Sequence, residues 1–222
     1  MRPLKNLLAR SPAAARVTPF FIFLALTFCQ GKFGAASAYW FYLAKTITGA
    51  WLVLEMRPLV SEMRWAFSWE AMLAGAGIFA LWVGLDRFYP HLMKGGATGN
   101  PNETFGAGSM LAWFFITVHI LGMTFVVPPL EEVFYRSFLY RYVANQNFLS
   151  VPLNQFRPLP FFATAIVFGL SHNEWLAGIL CGAAYQWLVL RKNRLGDAMA
   201  AHAATNFLLG VWIVWKHAWN FW

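Results

Sequence analysis

Seven apolar segments run along the chain, and their lengths constrain the fold more than any other feature. They comprise residues 17–30, 38–55, 69–85, 108–130, 159–172, 175–190 and 197–215. A helix that crosses the hydrocarbon core of a bilayer needs roughly 20 mostly apolar residues, and about 17 are tolerated. Segments of this length with few charges therefore predict membrane helices rather than the core of a soluble domain.

The composition agrees with a membrane protein and excludes several other classes. Of the 222 residues, 59% are hydrophobic and only 12% are charged, about half the charged share of a soluble protein. The net charge of +8 fits basic loops on the cytoplasmic side of a membrane, so we do not expect a nucleic-acid partner. Two cysteines, Cys29 and Cys181, are too few for a disulfide scaffold.

The sequence predicts an all-α fold, a polytopic transmembrane helical bundle with about seven or eight membrane helices and an interior polar cavity. We interpret residues 1–222 as a single integral membrane domain, with N-terminal spans in 1–106 and a motif-bearing core in 107–215. The polar segment 86–106, rich in Gly, Pro and Asn, predicts a flexible loop on the outer face. The first apolar segment also resembles a signal peptide, although Lys32 disfavours that alternative.

Basic residues before the first segment predict a cytoplasmic N-terminus. They are Arg2, Lys5, Arg10 and Arg16. Residues 131–143 start too polar for an ordinary span and predict either a helix that continues past Pro128-Pro129 or one lying at the interface. The number of full crossings and the side of the C-terminus stay open.

Several polar side chains stand in or beside these apolar segments, where ionisable groups cost roughly 2.5–3.5 kcal/mol each at a helix centre. Glu132 and Arg136 are four residues apart, so they share a helix face and can form an ion pair. Glu131 is turned about 100° away, which leaves its carboxylate free to take a proton from water. A charge cluster that only sets topology is the alternative for this set.

Histidines occur on two later segments. His172 closes an apolar run, and a structural hydrogen bond is the simpler role for a single histidine at a helix end. His202 and Asn206 are one turn apart and could donate hydrogen bonds to an oxyanion, or bond only to a neighbouring helix. Together with Glu131, these groups complement one another as base, imidazole and oxyanion donors, which predicts a hydrolytic site.

Other reactive side chains carry less weight. Lys45 lies in the middle of a segment and could neutralise a substrate carboxylate or one of the glutamates, but we favour snorkelling to the interface. A serine mechanism is disfavoured, because Ser171 next to His172 on a helix would point about 100° away.

Three motifs resemble those of a known family. Residues 131–136 (EEVFYR) fit EExxxR, 168–172 (FGLSH) fit FxxxH, and 202–206 (HAATN) fit HxxxN. Their order and spacing resemble the CAAX-protease and bacteriocin-processing family of intramembrane proteases, whose eukaryotic members trim prenylated CAAX proteins. The chain looks most like the prokaryotic branch called CAAX prenyl protease-related proteins. The matching part, about 108–215, is a little under half of the chain.

The resemblance implies an all-helical membrane bundle that hydrolyses peptide bonds in an interior cavity open towards the cytoplasm. By motif, Glu131 and His172 would activate the attacking water, and His202 with Asn206 would stabilise the oxyanion. Glu132 would be held in place by Arg136 behind these catalytic groups.

Metal dependence stays open at this point. No cofactor is certain, but a divalent metal such as zinc could be held by Glu131, His172 and His202. The HExxH motif is absent, and members of the family are described both as metalloproteases and as metal-free glutamate enzymes. Asn206 beside His202 favours the metal-free alternative.

The sequence thus predicts an intramembrane endopeptidase that acts on a lipidated or membrane-inserted protein or peptide. We expect a multi-pass protein of a prokaryotic cytoplasmic membrane, in contact with the lipid bilayer. The alternative is a non-catalytic membrane scaffold or binding partner that uses the same cavity. A transporter is disfavoured, since the sequence lacks a visible repeat.

Overall fold

The computed structural model describes residues 2–92 and 99–222, and every regular element in these ranges is helical. The helices are α1 (Arg2–Ala9), α2 (Pro12–Phe28), α3 (Ser37–Met56), α4 (Trp69–Leu85), α5 (Pro101–Phe105), α6 (Met110–Ala144), α7 (Pro158–Leu170), α8 (Trp175–Lys192) and α9 (Gly196–Lys216). The predicted all-α class is confirmed. The middle of the predicted loop 86–106, residues 93–98, lies outside the described residues.

Serine side chains fix where three of the long helices begin. The hydroxyls of Ser11, Ser68 and Ser109 accept hydrogen bonds of 3.0, 3.3 and 3.1 Å from backbone N–H groups three residues later. Each serine thereby satisfies a donor that the first turn of α2, α4 or α6 would leave unpaired. These caps place the start of each of the three helices near the first residues of the corresponding apolar segment.

Helix α6 passes through the glutamate pair without ending. It includes two π-helical segments, Gly122–Val126 and Val133–Leu139, on either side of the α-helical stretch Val127–Glu132. The chain therefore continues beyond Pro128-Pro129 as one helix, and a separate interfacial helix over 131–143 is not present in this described part.

Small residues allow the helices around the site to approach closely. A Cβ atom on Gly169 of α7 would lie 2.3 Å from Cγ1 of Ile179 in α8, and one on Gly75 of α4 would lie 2.6 Å from the carbonyl of Ala201 in α9. Such close approaches at glycine are typical of packed membrane helices. They hold α4, α7, α8 and α9 together around the second half of α6.

Three helices in the described residues are long and apolar enough to cross a membrane. They are Trp69–Phe88, Met110–Ala144 and Gly196–Lys216. Large apolar side chains such as Ile47, Leu73 and Phe162 are exposed on the helix surfaces, as expected where lipid replaces water. The apolar helices indicate an integral membrane protein, while the count of seven or eight spans stays a prediction.

Charged contacts gather the basic segments at one end of the bundle. Glu62, in the loop between α3 and α4, forms ion pairs of 2.8 Å with Arg16 and 2.7 Å with Arg141 and accepts a hydrogen bond from Ser137. Burial raises the pKa of Glu62, but Ser137 and the charge of Arg16 outweigh it and lower the pKa to about 2. Glu62 therefore joins the start of α2 to the end of α6.

Candidate active site

Two consecutive prolines shape α6 just before the glutamates. The N–H of Val127 donates to the carbonyl of Gly122, five residues back, instead of the Met123 carbonyl four residues back. Pro128 has no N–H, so it cannot bond to Met123 either. The open Met123 carbonyl accepts a 2.7 Å hydrogen bond from Nδ2 of Asn206 on α9. A defect in one helix thus orients the asparagine of the HxxxN motif.

Glu132 is fully buried between a histidine and an arginine. Its Oε1 lies 2.9 Å from Nδ1 of His202, and its Oε2 lies 3.1 Å from Nε of Arg136, at ion-pair distance but not in hydrogen-bond geometry. Arg136 is also fully buried, and its guanidinium lies 4.4 Å from the centroid of the Phe168 ring. The Glu132–Arg136 pair expected from the sequence therefore has a third member, His202 from α9.

The contact with Glu132 shows which ring nitrogen of His202 carries a hydrogen. A carboxylate only accepts hydrogen bonds, so Nδ1 of His202 carries the proton. The ring stacks on Tyr185 with centroids 5.3 Å apart. The other ring nitrogen, Nε2, has no hydrogen-bond partner among the described residues. Nε2 is therefore available to a ligand.

His172 has a matching arrangement just beyond the end of α7. Its Nδ1 lies 2.8 Å from the carbonyl of Phe168, which can only accept, so this nitrogen also carries a proton. The ring packs against Phe168 and Trp82, with centroids 4.7 and 5.4 Å away. In a neutral His172 ring, Nε2 is therefore the nitrogen that carries the lone pair.

The expected separation of Ser171 from His172 is wrong. Their Oγ and Nδ1 atoms lie 3.2 Å apart, because α7 ends at Leu170 and the backbone leaves the helix there. However, both side chains direct a hydrogen to the Phe168 carbonyl, with Ser171 Oγ 2.7 Å from it. Nδ1 therefore has no lone pair to accept the serine proton, and a Ser–His nucleophile remains disfavoured.

One cavity of about 190 Å³ brings most of the predicted site together. His172, His202 and Asn206 all line it, along with Trp82 and Phe221. Its wall thus combines imidazole and amide groups with aromatic surface, a mixture typical of ligand-binding pockets.

Glu131 does not line this cavity. The side chain is half-buried, its Oε2 is buried without a hydrogen-bond partner in the described part of the chain, and it lies within electrostatic range of Lys45 and Tyr135. The structure thus unites three of the four residues predicted to be catalytic, and Glu131 stands apart from them.

Glu174 is a cavity residue that the sequence motifs did not identify. It is buried directly before α8 and lines the same cavity as His172. Burial raises the pKa of Glu174, and a hydrogen bond from its own backbone opposes the rise. Its only sequence signal is an acidic residue two positions after the FxxxH motif.

The candidate metal ligands fit a metal only in part. Nδ1 of His172 and of His202 each donates to a carbonyl or carboxylate, the usual outer contact of a metal-ligating histidine. Yet Glu131 does not join them. In residues 2–92 and 99–222, only Asp86, His91 and Glu174 form a group of three such side chains whose ligand atoms lie within 4.8 Å of one another. The predicted set of three ligands is therefore incomplete in this conformation.

Comparison with known proteins adds one match. Residues 112–208 match the family model described as Type II CAAX prenyl endopeptidase Rce1-like. No curated protein and no solved structure matches the chain. The matched range contains all three motifs and the side chains that line the 190 Å³ cavity from α6, α7 and the first part of α9. The family resemblance predicted from the motifs is therefore confirmed over residues 112–208.

Proposed function

We propose that this protein is an intramembrane endopeptidase that hydrolyses a peptide bond in a lipidated or membrane-inserted protein substrate. The convergence of His172, His202 and Asn206 on one cavity, with Glu132 behind His202, is the observation that supports this function most. The match to the Rce1-like family supports the same class of reaction.

In the proposed reaction, water is activated between His172 and Glu131. With Nδ1 donating to the Phe168 carbonyl, Nε2 of a neutral His172 carries the lone pair and can accept a proton from water. The Glu131 carboxylate, with one oxygen that has no hydrogen-bond partner among the described residues, would accept from the same water after moving towards the cavity. The hydroxide then attacks the carbonyl carbon, and the abstracted proton passes to the leaving amine as the C–N bond breaks.

The oxyanion would be stabilised by His202 and Asn206. One N–H of the Asn206 amide is bonded to Met123, and its second N–H remains to donate. An imidazolium at His202 would donate from Nε2 to the oxyanion while its Nδ1 stays bonded to the Glu132 carboxylate. Arg136 holds that carboxylate in position.

A cleavage assay on a farnesylated CAAX peptide in detergent tests this function. We expect Glu131→Gln and His172→Ala each to lower kcat/KM by at least about 100-fold, the usual effect of losing a general base. Ser171→Ala is the matched control, because Ser171 contacts His172 without a proposed catalytic role. Turnover retained in both site variants, or lost in Ser171→Ala alone, would contradict the assignment.

One observation favours a non-catalytic scaffold that binds the same peptides. Glu131 is not among the residues that line the cavity, so a binding function would not need it. In that case Glu131→Gln would bind the fluorescent peptide as wild type does, and neither protein would cleave it. Cleavage by wild type at a rate that depends on Glu131 rejects the scaffold.

A further inference from the structure

Three side chains of metal-ligating type meet where the loop after α4 contacts the turn before α8, outside the proposed catalytic groups. Asp86 and His91 follow the end of α4, and Glu174 lies directly before α8. One ligand atom of each side chain lies within 4.8 Å of the other two. The two segments are far apart in the sequence, so no motif indicates this group.

Backbone and aromatic contacts join these two segments. The N–H of Leu92 donates a 3.2 Å hydrogen bond to the carbonyl of Asn173, and the indole N–H of Trp175 donates a 2.9 Å hydrogen bond to the carbonyl of Pro90. The Tyr89 ring packs edge-on against the Trp175 ring, with centroids 5.8 Å apart. These contacts hold the three side chains of the group close together without the help of an ion.

Two of the three ligand atoms are buried without a hydrogen bond. Oδ1 of Asp86 lies 2.9 Å from Nε2 of His91, at ion-pair distance, yet neither atom has a hydrogen-bond partner in the described part of the chain. A hydrogen on Nε2 would therefore not point at the carboxylate. Buried polar atoms are normally satisfied by a partner, and an ion is one such partner. A cation bound between the two atoms would satisfy a lone pair of each.

Glu174 adds a buried carboxylate to this pair. It is 8% exposed and forms no ion pair with a Lys, Arg or His side chain within residues 2–92 and 99–222. Burying a carboxylate is unfavourable unless it is neutralised by a proton, a counter-charge or a metal ion. The carboxylate of Asp86 within 4.8 Å increases that cost by repulsion. A divalent cation would neutralise both carboxylates at once.

The ligand types and distances favour zinc. Zinc binds His nitrogen and Asp or Glu oxygen at about 2.0–2.2 Å with tetrahedral geometry, which places two ligand atoms roughly 3.3 Å apart. The 2.9 Å between Asp86 and His91 is close to that separation, and Glu174 would move closer on binding. Calcium and magnesium prefer oxygen ligands alone. The side chains of Asp86 and His91 are 22% and 29% exposed, which gives an ion access from solvent.

We propose that Asp86, His91 and Glu174 bind a zinc ion that fastens the loop after α4 to the turn between α7 and α8. Water would complete the tetrahedron around three protein ligands. Glu174 also lines the 190 Å³ cavity, two residues after His172, so the ion would stabilise one wall of that cavity. The site does not depend on the proposed endopeptidase function, and it shares no ligand with the set of Glu131, His172 and His202.

Zinc binding to the full-length protein in detergent, measured against a chromophoric indicator after treatment with a chelator, tests the site. Asp86→Asn and Glu174→Gln each remove a ligand charge and keep the shape of the side chain. We expect each to weaken zinc binding by at least about 100-fold, because even an outer contact of a metal ligand is worth roughly 10- to 100-fold. Glu103→Gln is the matched control, because this carboxylate is exposed and lies outside the group. Helical circular dichroism checks that each variant is folded.

Amide hydrogen exchange tests the fastening of the loop. The N–H of Leu92 bonds to Asn173 across the two segments, so zinc should slow its exchange in wild type and leave it unchanged in Asp86→Asn. Exchange that zinc does not alter in wild type would overturn this role.

Three binding results would overturn the site itself. Wild type that binds zinc no more tightly than Asp86→Asn would show that the buried carboxylates are neutralised by protons instead. Calcium that binds as tightly as zinc would show that His91 is not a ligand. Zinc that is retained in Asp86→Asn but lost in His172→Ala would place the ion among the proposed catalytic groups.

Discussion

Replacing Glu132 by alanine should destabilise the protein as well as inactivate it. Glu132 and Arg136 are both 0% exposed, and the other contacts of the guanidinium are a 3.4 Å bond to the Gly182 carbonyl and aromatic faces. Without the carboxylate, a positive charge remains buried with no anion beside it. Breaking a buried pair in this way costs about 3–5 kcal/mol.

The free energy of unfolding can be measured by titrating SDS into dodecyl maltoside micelles and following helical circular dichroism. Glu70→Ala is the matched control, because it breaks the Glu70–Lys192 pair, whose side chains are 21% and 22% exposed. Partly exposed pairs are worth about 0–1 kcal/mol. We therefore expect a loss several times larger for Glu132→Ala than for Glu70→Ala.

A double variant separates the pair from the general effect of a cavity. Glu132→Ala combined with Arg136→Met removes both charges, so no unpaired ion remains buried. Its loss of stability should be smaller than the sum of the two single losses. Equal stability of Glu132→Ala and wild type, or strict additivity in the double variant, would refute the argument that the buried charge dominates.

Two further predictions concern the cluster at Glu62 and the contact between α7 and α8. Lowering the pKa of Glu62 from 4.5 to about 2 stabilises the fold by about 3 kcal/mol above pH ~4.5, and this contribution is lost as the pH falls towards ~2. Unfolding of wild type and Glu62→Gln from neutral to acidic pH should therefore converge at the acid end, and parallel curves would contradict it. Gly169→Ala places a Cβ 2.3 Å from Ile179 and should cost about 1–3 kcal/mol, whereas Gly77→Ala on α4, with nothing within 4 Å, should be neutral or stabilising in the same unfolding assay.

Helix positions could be predicted from the sequence because each apolar segment is bounded by a serine cap or a basic residue. The sequence alone does not show whether α6 continues past residue 130, because Pro128, Pro129 and the two glutamates each disfavour a continuing helix locally. Packing of α6 against its neighbours outweighs those local preferences, and the π-helical segments absorb the mismatch.

Within the site, spacing predicts only contacts along one helix. It places Glu132 with Arg136 and His202 with Asn206, but not Glu132 with His202, which lie 70 residues apart and meet at 2.9 Å. Lys45 is likewise buried because side chains from three helices surround it, which no single segment encodes. Contacts between segments far apart in the chain therefore could not be predicted from the sequence.

The bond between Asn206 and the Met123 carbonyl ties the orientation of the proposed oxyanion donor to the winding of α6. If the helix rewound so that Val127 bonded to Met123 in the ordinary α pattern, Asn206 would have to share the carbonyl with a backbone donor. Straightening α6 would therefore weaken the anchor of the proposed oxyanion donor. Transplanting the HxxxN motif into another bundle without the paired prolines would leave its asparagine free to rotate.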